Sequence, residues 1–278
     1  YNLGANLSLT GDFAEAERML VSALELRPKL TRAKFALGAA YIGLEKVDAA
    51  VALCNEAPDD SCEMFALKPF AVAAQGGDNA ILLADYDRLI DVPQLSAPNG
   101  HDSLTSFNKE LVAHILDHPS LTYAPTSHAT VNGKHTGNLL TEPKGPFEDF
   151  EKLLWREVES YQEKLRQSGN PLFSGDRSLT DLVVWSVVME AGGYQEPHIH
   201  PSGWISGVYY PKFPKELATD ANLDAGCLEF GAPPPEIPFT GRPYLKMVRP
   251  EEGLLVLFPS FCYHRTIPFE SDTPRVCL

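Results

Sequence analysis

Two imidazoles separated by one residue, His198 and His200, are the pair in this chain best placed to do chemistry. In an extended strand alternate side chains project to one face, so both rings enter the same space. Paired neutral nitrogen donors on a rigid strand suit a divalent transition metal. Read alone, such a pair is as readily two solvated histidines; the setting argues for the metal. Gly192-Gly193 before it and Pro201-Ser202-Gly203 after it read as turns, and Trp204 to Tyr210 reads as a strand of β-branched and aromatic residues. A third donor candidate is His264, which follows the apolar run Gly253 to Phe258 and a Pro259-Ser260 turn. Eleven residues later Arg275 opens another strand-like run. Asp224, Glu229 and Glu196 are the carboxylates nearest the pair in sequence.

These residues need a scaffold that brings distant strands together. Leu179 to Met189, Trp204 to Tyr210, Gly226 to Phe230, Tyr244 to Val248, Gly253 to Phe258 and Arg275 onward are short strand candidates separated by Pro- and Gly-rich turns. Strands at this density after a block of helices favour an antiparallel barrel or double-sheet jelly roll. There the strand carrying a distal histidine can lie across from the His-x-His strand, with Arg275 pointing inward from a neighbour. A guanidinium inside a barrel needs a carboxylate, and a bidentate acid supplies one. Pro146 to Gln167 reads as a long amphipathic helix lying across the outside of a sheet, and Phe107 to Leu116 as a shorter one. His114 and His118, four apart on the latter, read as surface or core histidines, as do His128 and His135.

The first 60 residues repeat themselves. Leu3-Gly4, Leu7, Gly11, Ala16, Leu20 and Ala23 recur 34 positions later as Leu37-Gly38, Tyr41, Glu45, Ala50, Cys54 and Ala57. With Pro28 after the second helix, this resembles the tetratricopeptide pattern of stacked helical hairpins. Residues 61–95 read as further helix, with Met64 to Leu67 and Ala80 to Ala84 as apolar stretches. Pro93, Pro98, Asn99 and Gly100 then break the pattern. The expected division is a helical repeat region, 1–95, followed by a jelly-roll domain with flanking helices, 96–278, an α+β chain overall.

The net charge of −14 argues against nucleic-acid or anionic-membrane partners. The five cysteines are odd in number and lack CxxC spacing, so they read as buried thiols of a reducing, cytoplasmic compartment. No apolar run approaches the roughly 18–20 residues that cross a bilayer. The chain starts at Tyr1 inside a repeat motif and stops at Leu278 inside a strand-like run, so both ends read as cut.

The stretches HIHPSGWISGVYY, GCLEF, EEGLLVLFPSFCYH and PRV resemble the 2-oxoglutarate/Fe(II)-dependent oxygenases related to prolyl hydroxylases, over about residues 100–278. The resemblance implies a double-stranded β-helix with Fe(II) held at its centre and Arg275 gripping the distal carboxylate of 2-oxoglutarate. It implies a dioxygenase that consumes O2, decarboxylates 2-oxoglutarate to succinate and hydroxylates a C–H bond of a peptide side chain or small metabolite. Tyr209 or Tyr210, whichever faces inward, would donate a hydrogen bond to the same acid. The usual ligand set in these enzymes is two histidines and one carboxylate, spaced H-x-D/E…H. Here His200 stands at the carboxylate position. Either His198, His200 and His264 form a three-histidine site, which is preferred, or one of the first two stands behind the ligand set. Two rivals are a Zn(II) lyase or hydrolase on the same histidines, which leaves Arg275 without a task, and a non-catalytic interaction protein with a degenerate barrel. The repeats add a surface for a peptide or protein partner.

Overall fold

The computed structural model describes residues 1–58, 61–76, 84–124, 128–168, 178–218 and 223–278. Five helices come first: α1 (Asn2–Leu9), α2 (Phe13–Leu26), α3 (Thr31–Gly43), α4 (Val47–Asn55) and α5 (Cys62–Ala74). Asp12 caps α2 by accepting from the Glu15 amide, and α2 stops just before Pro28. The 34-residue periodicity is visible in the packing. Ala16 and Ala50, equivalent in the repeat, are both fully buried. Gly4 and Gly38, also equivalent, each lie against a leucine of another helix. A Cβ on Gly4 would lie 2.7 Å from Leu20 Cγ, and one on Gly38 would lie 2.5 Å from Leu67 Cδ2. Leu67 is itself fully buried and has little room to yield. Gly38→Val should therefore cost about 1–3 kcal/mol by wedging α3 from α5, read as a lower midpoint in urea. Ala80 to Leu83, from the expected second apolar stretch, lie outside the described residues.

Next come α6 (Tyr86–Leu89), α7 (Leu104–Asp117), β1 (Thr122–Tyr123), β2 (Thr130–His135) and α8 (Phe147–Gln167). Then follow β3 (Val187–His198), β4 (Ile205–Tyr209), β5 (Leu228–Phe230), β6 (Lys246–Val248), β7 (Leu255–Pro259), β8 (His264–Thr266) and β9 (Arg275–Cys277). All pairings are antiparallel. A seven-stranded sheet runs β1-β2-β3-β8-β5-β6, with β9 also on β3, and β4 pairs with β7 in a second sheet. The helices-then-strands α+β order and the double-sheet, jelly-roll arrangement are as expected.

Two local expectations are corrected. Gly192-Gly193 is not a turn: β3 runs through it as one 12-residue strand. Gly192 adopts φ +73°, and the pairing with β2 slips between Val131 and Gly133, so the glycines make a bulge. The strand expected over Leu179 to Met189 begins only at Val187. Strands β1 and β2 were not anticipated, because Asn132 and Gly133 give β2 the composition of a turn.

The helical front and the barrel share one core. Phe70 of α5 meets Phe239 and Tyr263 at ring separations of 5.5 and 5.9 Å, and Phe65 meets Phe261 at 5.8 Å. On the opposite flank α8 lays Phe150 against Tyr209 of β4, 5.1 Å between rings. The Tyr161 hydroxyl of α8 donates to the Leu89 carbonyl at 2.5 Å, and Lys164 pairs with Asp91.

Candidate metal centre

His198 ends β3 and His264 opens β8, and the two are directly paired across the ladder. His200 lies just past β3, its backbone amide donating to the Ser260 carbonyl at 3.1 Å. The result is a cluster in which one ring nitrogen from each histidine lies within 4.8 Å of the others. Ring separations are 4.2 Å for His198 to His264 and 5.1 Å for each to His200.

Backbone carbonyls orient two of the three rings. His198 Nδ1 donates to the Glu196 carbonyl at 2.7 Å, and His264 Nδ1 donates to the Cys262 carbonyl at 2.9 Å. A carbonyl can only accept, so the hydrogen sits on Nδ1 and the Nε2 lone pair is free for a metal. His200 packs against Trp185 with the rings tilted, 5.5 Å between them. Its carbonyl faces the Cys62 thiol of α5, Sγ to O 3.8 Å.

Burial keeps all three imidazoles neutral. It lowers His198, takes His200 down to about 4 with help from the His198 charge, and holds His264 well below the usual range. In the unfolded chain the same groups titrate near 6.5. Between these limits only the unfolded chain takes up protons. The stability they contribute is present above pH 6.5 and is lost as pH falls toward 4. The metal-free protein should therefore lose on the order of 2–3 kcal/mol from His200 alone between pH 7 and pH 4. Urea unfolding across that range checks it, with His200→Gln flattening the slope.

Among the described residues no carboxylate joins the cluster. Glu229 is buried, but it forms an ion pair with Arg265, its cross-strand partner. Asp224 and Glu196 are exposed. His135 is elsewhere engaged, its Nε2 2.7 Å from the Thr130 hydroxyl, and His114 of α7 lies 5.6 Å from His118, the residue just past that helix.

The three histidines open onto a cavity of about 450 Å³ between the sheets and α8. Arg275, on β9, lines it and is only 1% exposed. Its Nη2 donates to the Tyr210 hydroxyl at 3.1 Å and its Nη1 points at Met189 Sδ at 3.9 Å, while Nε has no partner. Among the described residues no carboxylate pairs with it. Tyr210, fully buried, is pushed up to about 12 by burial, with the Arg275 charge opposing, so its phenol keeps a hydrogen to donate. Tyr209 points differently, its hydroxyl donating to Asn108 Oδ1 of α7. The chain's three tryptophans, Trp155, Trp185 and Trp204, all line the same cavity. That grouping could not be seen from sequence, since they come from α8 and from segments before β3 and β4.

Residues 183–278, which hold all three histidines and Arg275, match a family model described as "Putative 2OG-Fe(II) oxygenase". Residues 9–61 match a tetratricopeptide repeat model. Both expected resemblances are thus found, over narrower spans. Among solved structures, a prolyl-4-hydroxylase from Pseudomonas putida is 16% identical, covering 70% of this chain and 92% of that one at a TM-score of 0.45. A prolyl hydroxylase from Trichoplax adhaerens, in complex with a hypoxia inducible factor oxygen degradation domain peptide fragment, is 14% identical, with 70% and 83% covered and a TM-score of 0.46. HygX from Streptomyces hygroscopicus, with nickel and 2-oxoglutarate bound, is 11% identical, with 70% and 83% covered and a TM-score of 0.43. No curated protein matches the chain. No helix among the described residues is long and apolar enough to cross a membrane.

Proposed function

We propose that this chain is an Fe(II)- and 2-oxoglutarate-dependent dioxygenase that hydroxylates a C–H bond of a peptide side chain or small metabolite. The observation that carries the reading is Arg275: a buried guanidinium with no carboxylate partner among the described residues, in the same cavity as three neutral imidazoles. A buried charge left unpaired is costly, and an acid ligand is what relieves it. The donor set fits the metal. Three neutral nitrogens suit several divalent ions, and the family match over residues 183–278 favours iron.

His198, His200 and His264 would hold Fe(II), and Arg275 with Tyr210 would hold the far carboxylate of 2-oxoglutarate. When bound, iron and 2-oxoglutarate supply the oxidation itself, coupling use of O2 to release of CO2 and succinate. The protein's share is positional. The carbonyls of Glu196 and Cys262 keep the rings aimed. Arg275 fixes the acid at the closed end, and Tyr210 donates to the same group. The tryptophan-lined wall keeps water out and receives the apolar part of the substrate. A three-histidine set leaves the centre one unit more positive than one with a carboxylate. The repeats would present a peptide or protein partner beside this domain, with 1–95 and 96–278 as the working division.

The test is an anaerobic titration with Fe(II) and 2-oxoglutarate, watching for the visible metal-to-ligand charge-transfer band. Admission of O2 should then produce succinate, slowly without substrate and faster with it. Metal uptake with no band and no succinate would sink the oxygenase reading in favour of a zinc enzyme or an interaction module.

A further inference from the structure

Four buried side-chain polar atoms among the described residues have no hydrogen-bond partner, and two of them lie in the barrel: Arg275 Nε and Thr266 Oγ1. Thr266 ends β8 and is 1% exposed. It lies two residues beyond His264, on the strand face that carries the metal-site imidazole. The intervening Arg265 points to the other face, where it pairs with Glu229. The residues opposite Thr266 on its two neighbours, Gln195 of β3 and Leu228 of β5, both line the cavity.

The register places Thr266 along the route between metal site and arginine. Strand β8 sets His264 against His198 and Thr266 against Gln195, and β9 sets Arg275 against Met189. Along that single edge of β3 the order is His264, then Thr266, then Arg275. A molecule lying along that edge from the histidines to Arg275 runs past the threonine's place in the ladder. A hydroxyl left buried without a partner is costly in an apolar wall, and a threonine there in place of valine has no structural return.

Resting on the co-substrate reading above, we propose that Thr266 is a hydrogen-bond donor to the dicarboxylate held by Arg275 and Tyr210. Its hydroxyl and the Arg275 Nε–H are then satisfied together, by the same ligand.

The experiment is calorimetric titration of 2-oxoglutarate into Ni(II)-loaded protein, which binds without turnover, comparing wild type, Thr266→Val, Thr266→Ser and Arg275→Met. Thr266→Val keeps the shape and removes the hydroxyl. It should weaken 2-oxoglutarate about tenfold, with Ni(II) affinity and the unfolding temperature of the ligand-free protein not lowered. Thr266→Ser should keep wild-type affinity. Wild-type affinity in Thr266→Val alongside loss in Arg275→Met would overturn the role of Thr266 and leave the co-substrate reading standing. Equal weakening in the valine and serine variants would also overturn it, as an effect of packing. Failure of the wild type to take up 2-oxoglutarate would bring down both.

Discussion

Arg275→Met should leave the protein folded, raise its melting temperature without ligand, and weaken 2-oxoglutarate by about two to four orders of magnitude, the roughly 3–5 kcal/mol of a broken buried charge pair. The two halves of this result have one cause. In the ligand-free protein the guanidinium sits in a closed wall with a phenol and a thioether for company, and one N–H is unmet. Methionine fills a similar volume with nothing to desolvate, and such exchanges are often neutral or stabilising. Each kcal/mol gained is worth about 2–4 °C in a domain of this size. Scanning fluorimetry with calorimetric titration separates the cases. A variant that melts lower, or that binds the acid as tightly as wild type, would show that Arg275 serves the fold.

His264→Ala should remove metal binding almost completely. His264 is the most buried of the three imidazoles, packed against Phe258 at 4.7 Å and Phe230 at 6.1 Å, and as a ligand it would join β8 to β3. Without it the remaining two imidazoles belong to a single strand end and cannot close round an ion. The loss should exceed the roughly 10–100-fold that follows from disturbing an outer hydrogen bond to a ligand. His200→Asp makes the informative partner, since it installs a carboxylate where this chain has an imidazole. It should retain iron with altered affinity, whereas His114→Ala on α7 should change nothing. Competition against a chromogenic chelator reads all three. Metal retained by His264→Ala would mean that the cluster is a packing arrangement.

The histidines and the arginine that the fold brings to one cavity were readable from sequence because residue type and strand alternation carried the signal: HIH at a strand end, a third histidine after an apolar run, an arginine opening the next strand. What sequence hid depends on register and long-range contact. Gly192-Gly193 was read as a turn because glycine marks bulges and turns alike; only pairing to β2 and β8 tells them apart. β2 was invisible because Asn132 and Gly133 look like loop residues until β3 supplies the ladder. Alternation says that Tyr209 and Tyr210 face opposite ways, but not that Asn108, a residue 101 positions from Tyr209, takes one hydroxyl and Arg275 the other. Thr266 carried no signal at all, for a threonine in a short strand is ordinary until its hydroxyl is seen to be alone.

Helix α5 belongs to two structures at once. One side receives α3 and α4 of the repeats; the other touches the aromatic residues before His264 and, through Cys62, the carbonyl of His200. Any ligand of the repeats that shifts α5 therefore works against the same contacts that seat His200. If the barrel holds a metal and the repeats a partner, linkage makes such an effect symmetrical: whatever factor docking imposes on metal affinity, metal imposes on docking. An isolated barrel would leave the Phe65 and Phe70 contacts with Phe261, Phe239 and Tyr263 unmade, and so would be a different molecule from the barrel with its repeats attached.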